Sequence, residues 1–325
     1  MAKRQKKQTV TQEIMSEVRK ILSSYSNDVT RSNYYRILRN YIAYCRENHN
    51  IQSLTDAAKL EYVQEYADAL VSSDTHLSPF TIHTYLSGIT SVVGLIDNRI
   101  KLASIKKPTR VVGHVFRGRR KENETELNPK HQRVIRFCKA VGIRRAEMAR
   151  LRGCDFYLKD DGTAEIFVYR GKGGKWQRQT VFSDIEFVKS CFEGVGENEK
   201  VFTKSELNCR INIHKYRALH AQEAYNRCDE VLKIPGGEEK LKREVIEYWN
   251  QFKKVPFPMK MIEGTYTLRG ETRKMALAQI RKGHPFIKLH YSKLALLHTS
   301  MYALSHLRTG VTMHYMLYTD APTDA

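Results

Sequence analysis

The sequence predicts a mostly α-helical protein, with an N-terminal helical bundle followed by a mixed α+β domain that carries a small antiparallel sheet. Three observations predict it. Apolar residues recur at helical spacing through the first hundred residues. A basic stretch with little apolar periodicity then interrupts the chain from about 98 to 128. Two β-rich runs joined by Gly-Lys-Gly-Gly follow, before helical periodicity resumes. A length of 325 residues suits two domains, placed at 1–98 and 129–325 with a basic linker over 99–128.

The first helix is read from Ile14, Val18, Ile21 and Tyr25, the second from Tyr34, Leu38, Tyr41 and Cys45, and the third from Leu60, Val63, Ala67 and Leu70. The fourth starts at Ser78, which suits an N-cap, with Pro79 in the first turn, and its apolar face is Ile82, Leu86, Ile89 and Val93. The linker holds Lys-Lys-Pro-Thr-Arg at 106–110 and Arg-Gly-Arg-Arg-Lys at 117–121. Beyond it, Pro129 to Arg152 reads as helical, and Ala164 to Arg170 and Lys175 to Phe182 read as a hairpin. Helices return at Leu241, Val245, Trp249 and Phe252 and again from Leu294 to Leu304.

Hydrophobic residues make up 41% of the chain, enough for packed cores and too many for a disordered protein. Lys and Arg number 55 against 35 acidic residues, a net charge of +20, and the pI is about 9.6. That excess calls for a polyanionic partner, of which nucleic acid is the commonest, although charge alone fits DNA, RNA or anionic lipid equally. No apolar run is long enough to span a membrane, and no apolar signal core follows the basic Met1–Lys7, so no membrane association and a cytoplasmic, nucleoid-associated location are expected. Cys45, Cys138, Cys154, Cys191, Cys209 and Cys228 form no CxxC pair and are read as reduced, mostly core-filling residues.

Metal-free cleavage of a phosphodiester needs a nucleophile, groups that neutralise the charge of the transition state, and an acid for the leaving oxygen. Arginine suits the second task because its fork matches two phosphate oxygens. Gly142-Ile-Arg-Arg-Ala-Glu-Met148 places Arg144 between two helical stretches with Glu147 three residues on; taken alone, such a pair is usually a surface ion pair. Ile213-His-Lys-Tyr-Arg217 puts His214 and Arg217 toward one side of a helix. Leu304-Ser-His306 precedes Tyr315, which lies nine residues after His306 (315 − 306). Gly171-Lys-Gly-Gly-Lys175 lacks the G-x-x-x-x-G-K-[ST] pattern of a nucleotide loop, and neither HExxH nor a carboxylate cluster for two metals is present.

Across nearly its full length the chain resembles the tyrosine recombinase, or phage integrase, family. Gly142 to Met148 match the family's first catalytic box, continued by Leu151 and Asp155. Gly171 to Arg178 match its hairpin lysine turn, His214 and Arg217 its H-x-x-R box, and Leu304-Ser305-His306 its L-G-H box, with Tyr315 following. The resemblance implies a core-binding helical domain and a catalytic domain that together clamp double-stranded DNA. It implies Tyr315 as the nucleophile that forms a 3′-phosphotyrosine, with Arg144, Arg217 and His306 stabilising the phosphate. Lys172 would protonate the leaving oxygen (Lys175 being the alternative), His214 would assist proton transfer, and Glu147 would support Arg144. No metal or cofactor is implied. The partners would be duplex DNA and three further copies in a homotetramer on DNA, from a monomer or weak dimer when free. The linker residues Arg117, Arg119, Arg120 and Lys121 would bind the DNA backbone.

Three departures stand out. Arg217 and His306 are 89 residues apart (306 − 217), so an insertion is expected over about 228–290, as a surface excursion or as a contact to DNA or a neighbouring subunit. Ser305 replaces the common glycine, and ten residues follow Tyr315 (325 − 315), which leads to the expectation of a short C-terminal segment. The alternatives are a type IB topoisomerase-like relaxing enzyme, a non-catalytic DNA-binding accessory protein and an RNA-binding protein, with Tyr318 as the alternative nucleophile.

Overall fold

The computed structural model describes residues 9–72, 77–110, 129–160, 162–169, 171, 176–208 and 211–318. They are mostly helical, with one three-stranded and one two-stranded antiparallel sheet. The chain divides into two units, the first ending at Arg110.

In the first unit, α1 (Val10–Leu22) opens with a capping box in which Thr9 accepts from the Gln12 amide and Gln12 reaches back. Tyr25, expected in this helix, lies in the turn after it and packs on the core from there. α2 (Asp28–His49) begins at the Asn27 cap and ends at Asn50 in the left-handed region. A single turn, α3 (Leu54–Ala57), precedes α4 (Leu60–Ser72), and α5 (Pro79–Val93) starts at Ser78 and Pro79 as the sequence predicts. The apolar faces read from the sequence meet in one core. Residues 99–110 join it: Ile100 and Ile105 are buried, and Lys107 Nζ donates to the Ile105 carbonyl at 2.8 Å.

The second unit begins, among the described residues, with α6 (Pro129–Val141). Helical character was expected to run on to Arg152. Instead the chain breaks at Gly142, which takes φ +62°, and resumes as the short α7 (Arg145–Met148). The hairpin gains a strand that periodicity did not reveal. β1 (Phe156–Leu158), β2 (Ala164–Val168) and β3 (Gln177–Val181) pair in that order, with Ala164 opposite Val181 and Val168 opposite Gln177. α8 (Ile185–Ser190) and α9 (Lys204–Leu207) lead to the long α10 (Ile213–Val231).

The stretch 228–290 holds α11 (Gly237–Phe252), β4 (Thr265–Thr267) and α12 (Gly270–Arg281), and then β5 (His290–Ser292) closes the two-stranded sheet. It is more than a surface excursion, because α11 buries Leu241, Val245, Tyr248 and Trp249 in a core shared with α13 (Lys293–Tyr302) and α14 (Thr309–Met316). Two clusters therefore fill this unit, one around α6 and the three-stranded sheet, the other around α11, α13 and α14. α10 runs through both: Tyr216 belongs to the first, and Ala221 and Tyr225 to the second.

Candidate active site

The seam between the two clusters holds Arg217, whose relative exposure is 0%. A charge that deep must be fully used by the protein. One terminal nitrogen donates to the Gly142 carbonyl, the other to the Leu304 carbonyl at 2.6 Å, and Nε donates to the Tyr315 hydroxyl at 3.3 Å. A single side chain thus ties the break after α6 to the chain just past α13 and to the last turn of α14. Burial pushes its guanidinium below its ordinary pKa; Tyr315 raises it, Arg144 lowers it further and Glu147 raises it.

The Gly142 break aims the next residues at this seam. An added Cβ there would overlap the His220 ring, and the positive φ disfavours any other residue. Arg144 stands just before α7. It pairs with the buried Glu147, and its other terminal nitrogen lies 2.7 Å from His306 Nε2. Burial alone would raise the Glu147 carboxyl, but Arg144, Arg217 and the hydrogen bonds from Arg144 outweigh it and hold the group below the usual carboxylate range.

His306 reaches Arg144 because the chain reverses at Ser305. That residue takes φ 52°, and the His306 amide folds back onto the Ser300 carbonyl at 2.7 Å. A glycine would adopt this conformation without strain. Serine is held in it by its hydroxyl, which donates to the Arg178 carbonyl at 2.8 Å.

Arg144, Glu147 and His306 therefore form one hydrogen-bonded group and Arg217 with Tyr315 another, and the two are close enough that Arg144 and Glu147 both act on the Arg217 charge. His214 sits in the first turn of α10 and is exposed, whereas Arg217 is buried, so the two occupy different depths. Tyr318 lies past the end of α14, and its hydroxyl accepts from Asn212 at 3.4 Å, at the start of α10 rather than beside Arg217. Lys172 and Lys175 lie outside the described residues, as do Arg117, Arg119, Arg120 and Lys121.

Three buried glutamines each bond to a different piece of this site and escaped the sequence reading. Gln177 donates to Glu147 at 3.1 Å, and Gln179 donates to the Ala303 carbonyl. They alternate on the inward face of β3 with Val181, where a strand facing an apolar core would carry apolar residues; that conflict was the legible signal. Gln222, buried on α10, donates to the carbonyls of Tyr315 at 3.0 Å, Met316 at 3.3 Å and Tyr318 at 3.0 Å.

No protein-family model matches the chain, and no curated protein matches it. Among solved structures it is similar to one described as a XerA recombinase, at 12% identity over 95% of this chain and 94% of the other, with a TM-score of 0.24. At that TM-score the likeness carries no argument about fold or function. Among the described residues no helix is long and apolar enough to cross a membrane.

Proposed function

We propose that the protein is a site-specific DNA recombinase that cleaves and rejoins duplex DNA through a 3′-phosphotyrosine, in the integration, excision or resolution of a mobile element. The observation that carries this assignment is that Arg144, held by Glu147 and His306, lies within electrostatic reach of Arg217, which is bonded to the Tyr315 hydroxyl, although these residues come from segments far apart in sequence. A tyrosine hydroxyl against a buried arginine, with a second arginine held by a carboxylate and a histidine, supplies what attack on a phosphodiester requires.

Tyr315 Oη attacks phosphorus, and its proton leaves with the assistance of His214. Arg144 and His306 take one non-bridging oxygen. Arg217 takes the other by giving up the Tyr315 hydroxyl, since both its terminal nitrogens are engaged by carbonyls. The 5′ oxygen departs with a proton from Lys172. The covalent link conserves the phosphodiester energy, so attack by the 5′ hydroxyl of a second duplex completes strand exchange without ATP. Four copies on two duplex sites carry the reaction through a Holliday junction, and the basic residues Arg117, Arg119, Arg120 and Lys121 neutralise backbone phosphates.

The test is a covalent-adduct assay in EDTA, with supercoiled DNA carrying the sequence that flanks the coding gene. An adduct with wild type that is lost in Tyr315→Phe is expected. An adduct that survives the substitution moves the nucleophile to Tyr318 or elsewhere. Tight duplex binding without any adduct leaves a DNA-binding accessory protein. Relaxation without exchange between two labelled duplexes marks a type IB topoisomerase-like enzyme.

A further inference from the structure

We propose that Gln222 is a positioning residue for Tyr315, anchoring the backbone of the tyrosine while Arg217 holds its hydroxyl. The proposal rests on the assignment of Tyr315 as nucleophile. α14 is only eight residues long, and a helix of that length does not hold itself together in water. Its last carbonyls have no partners within the helix. The two N–H donors of the Gln222 amide lie within hydrogen-bond distance of two of them, at Tyr315 and Met316, and of the Tyr318 carbonyl just beyond the helix.

The amide orientation follows from its neighbours. All three are carbonyl acceptors, so only the NH2 end can face them. The cost of this arrangement is visible on the other side, where Gln222 Oε1 is buried with no hydrogen-bond partner. A residue chosen for packing alone would not carry an unsatisfied buried oxygen. What is retained is the donor, and the donor is aimed at the backbone of Tyr315.

Arg217 and Gln222 stand on the same helix, α10. The tyrosine is therefore held at its hydroxyl, 3.3 Å from Arg217 Nε, and at its carbonyl, 3.0 Å from Gln222 Nε2, by one rigid element of its own chain. Without the anchor the last turn of α14 would be free to fray, and Tyr315 is its second-to-last residue. The hydroxyl would then leave the position that in-line attack needs, while the arginines would keep theirs.

The experiment compares wild type with Gln222→Met, which keeps the length and removes the donor. Adduct formation on saturating duplex is expected to slow about 100-fold, the scale of an ångström's misplacement, with duplex affinity unchanged. In a Tyr315→Phe background, hydrogen peroxide replaces the tyrosine. Its oxygen bonds to phosphorus, the 5′ oxygen leaves as the hydroxyl, and the arginines still serve; adding Gln222→Met should leave this cleavage rate unchanged. Peroxide cleavage that falls as far as adduct formation would mean that Gln222 merely supports the whole site, and it would overturn the proposal. So would an unchanged adduct rate. Hydrogen exchange of the 313–318 amides, expected to quicken about tenfold in Gln222→Met while α13 keeps its protection, reads the anchor without any cleavage. Unchanged exchange there also overturns it. A wild type that forms no adduct, together with a Tyr315→Phe protein that peroxide does not activate, sinks the recombinase assignment itself, whatever the exchange shows.

Discussion

In the first unit the described buried side chains are all apolar or aromatic, from Ile14 to Ile105. In the second unit the interior also takes Glu147, Glu165, Gln177, Gln179, Arg217, His220, Gln222 and His298. An apolar core is held by many interchangeable contacts, and each lost methylene costs its own share. A buried polar group instead demands a particular partner, and losing one partner strands the other. Stability and site architecture are thus separable in the first unit and made of the same bonds in the second. The two tryptophans, Trp176 and Trp249, both belong to the second unit, so their fluorescence reports that unit alone.

The largest expected effect breaks the seam. Arg217→Met strands the Gly142 and Leu304 carbonyls and removes a positive neighbour of Glu147. The tryptophan-detected transition in urea should lose about 3–5 kcal/mol, the range for breaking a buried charged pair, and the adduct should disappear. Leu38→Ala removes a comparable amount of the first unit, about 2–5 kcal/mol by the usual core cost, and should leave the tryptophan midpoint in place. Equal tryptophan shifts for the two variants would show that the units unfold as one and that the contrast between them has no energetic meaning.

Gly142→Ala comes next. The strain at φ +62° and the overlap with the His220 ring should together cost at least about 1–3 kcal/mol. Because Gly142 also offers its carbonyl to Arg217, adduct formation should fall along with stability. Intact cleavage in a destabilised Gly142→Ala protein would separate the two properties in the very unit where they are argued to coincide.

A pH dependence sharpens the same contrast. His298 is buried between Cys228, 3.2 Å from Nδ1, and Glu244, 2.9 Å from Nε2. Burial lowers its pKa, but Cys228 and Glu244 outweigh burial and push it up to about 9. A raised folded value means that the charged histidine stabilises the fold. That contribution is complete below its unfolded value of about 6.5 and is lost as pH rises through about 9. Tryptophan-detected stability should fall over this window in wild type and fall less in His298→Gln. Identical slopes would remove His298 as the cause.

Much of the scaffold was legible because helices repeat. The faces Ile14–Val18 and Ile82–Leu86–Ile89–Val93 lie where their spacing puts them, and Ser78 with Pro79 marks a true start. The pieces that escaped are short or unperiodic: one turn at Leu54–Ala57, and strands of three residues at Phe156–Leu158, Thr265–Thr267 and His290–Ser292. α11 has an apolar face, but spacing could not say what covers it. The site divides in the same way. Arg144 and Glu147 are neighbours on one turn, so their pairing could be read locally. The burial of Arg217 and its ties to Gly142 and Leu304 depend on contacts across 75 and 87 residues, which no local pattern encodes. The glutamines of β3 and α10 violate the apolar pattern around them, and a polar residue in an apolar register was the one sign that a network lay there.

The smallest expected effect concerns Ser305, where strain and a hydrogen bond oppose each other. Its φ of 52° costs an L-residue about 1–2 kcal/mol, and Ser305→Gly removes that cost. The same change loses the bond to the Arg178 carbonyl, about 0.5–1.5 kcal/mol, and adds chain entropy to the unfolded state. The net shift should be within about 1 kcal/mol, with either sign compatible. Ser305→Ala keeps the strain and loses the bond, so it should be the less stable of the two by tryptophan-detected unfolding. The turn sets where His306 meets Arg144, and β3 holds the turn through Ser305 Oγ and the Gln179 contact with Ala303. Adduct formation should therefore follow the hydroxyl rather than the stability, with Ser305→Gly and Ser305→Ala slowed alike. If the glycine variant instead cleaves as fast as wild type, the bond to Arg178 serves the fold alone, and His306 is placed by the backbone reversal without it.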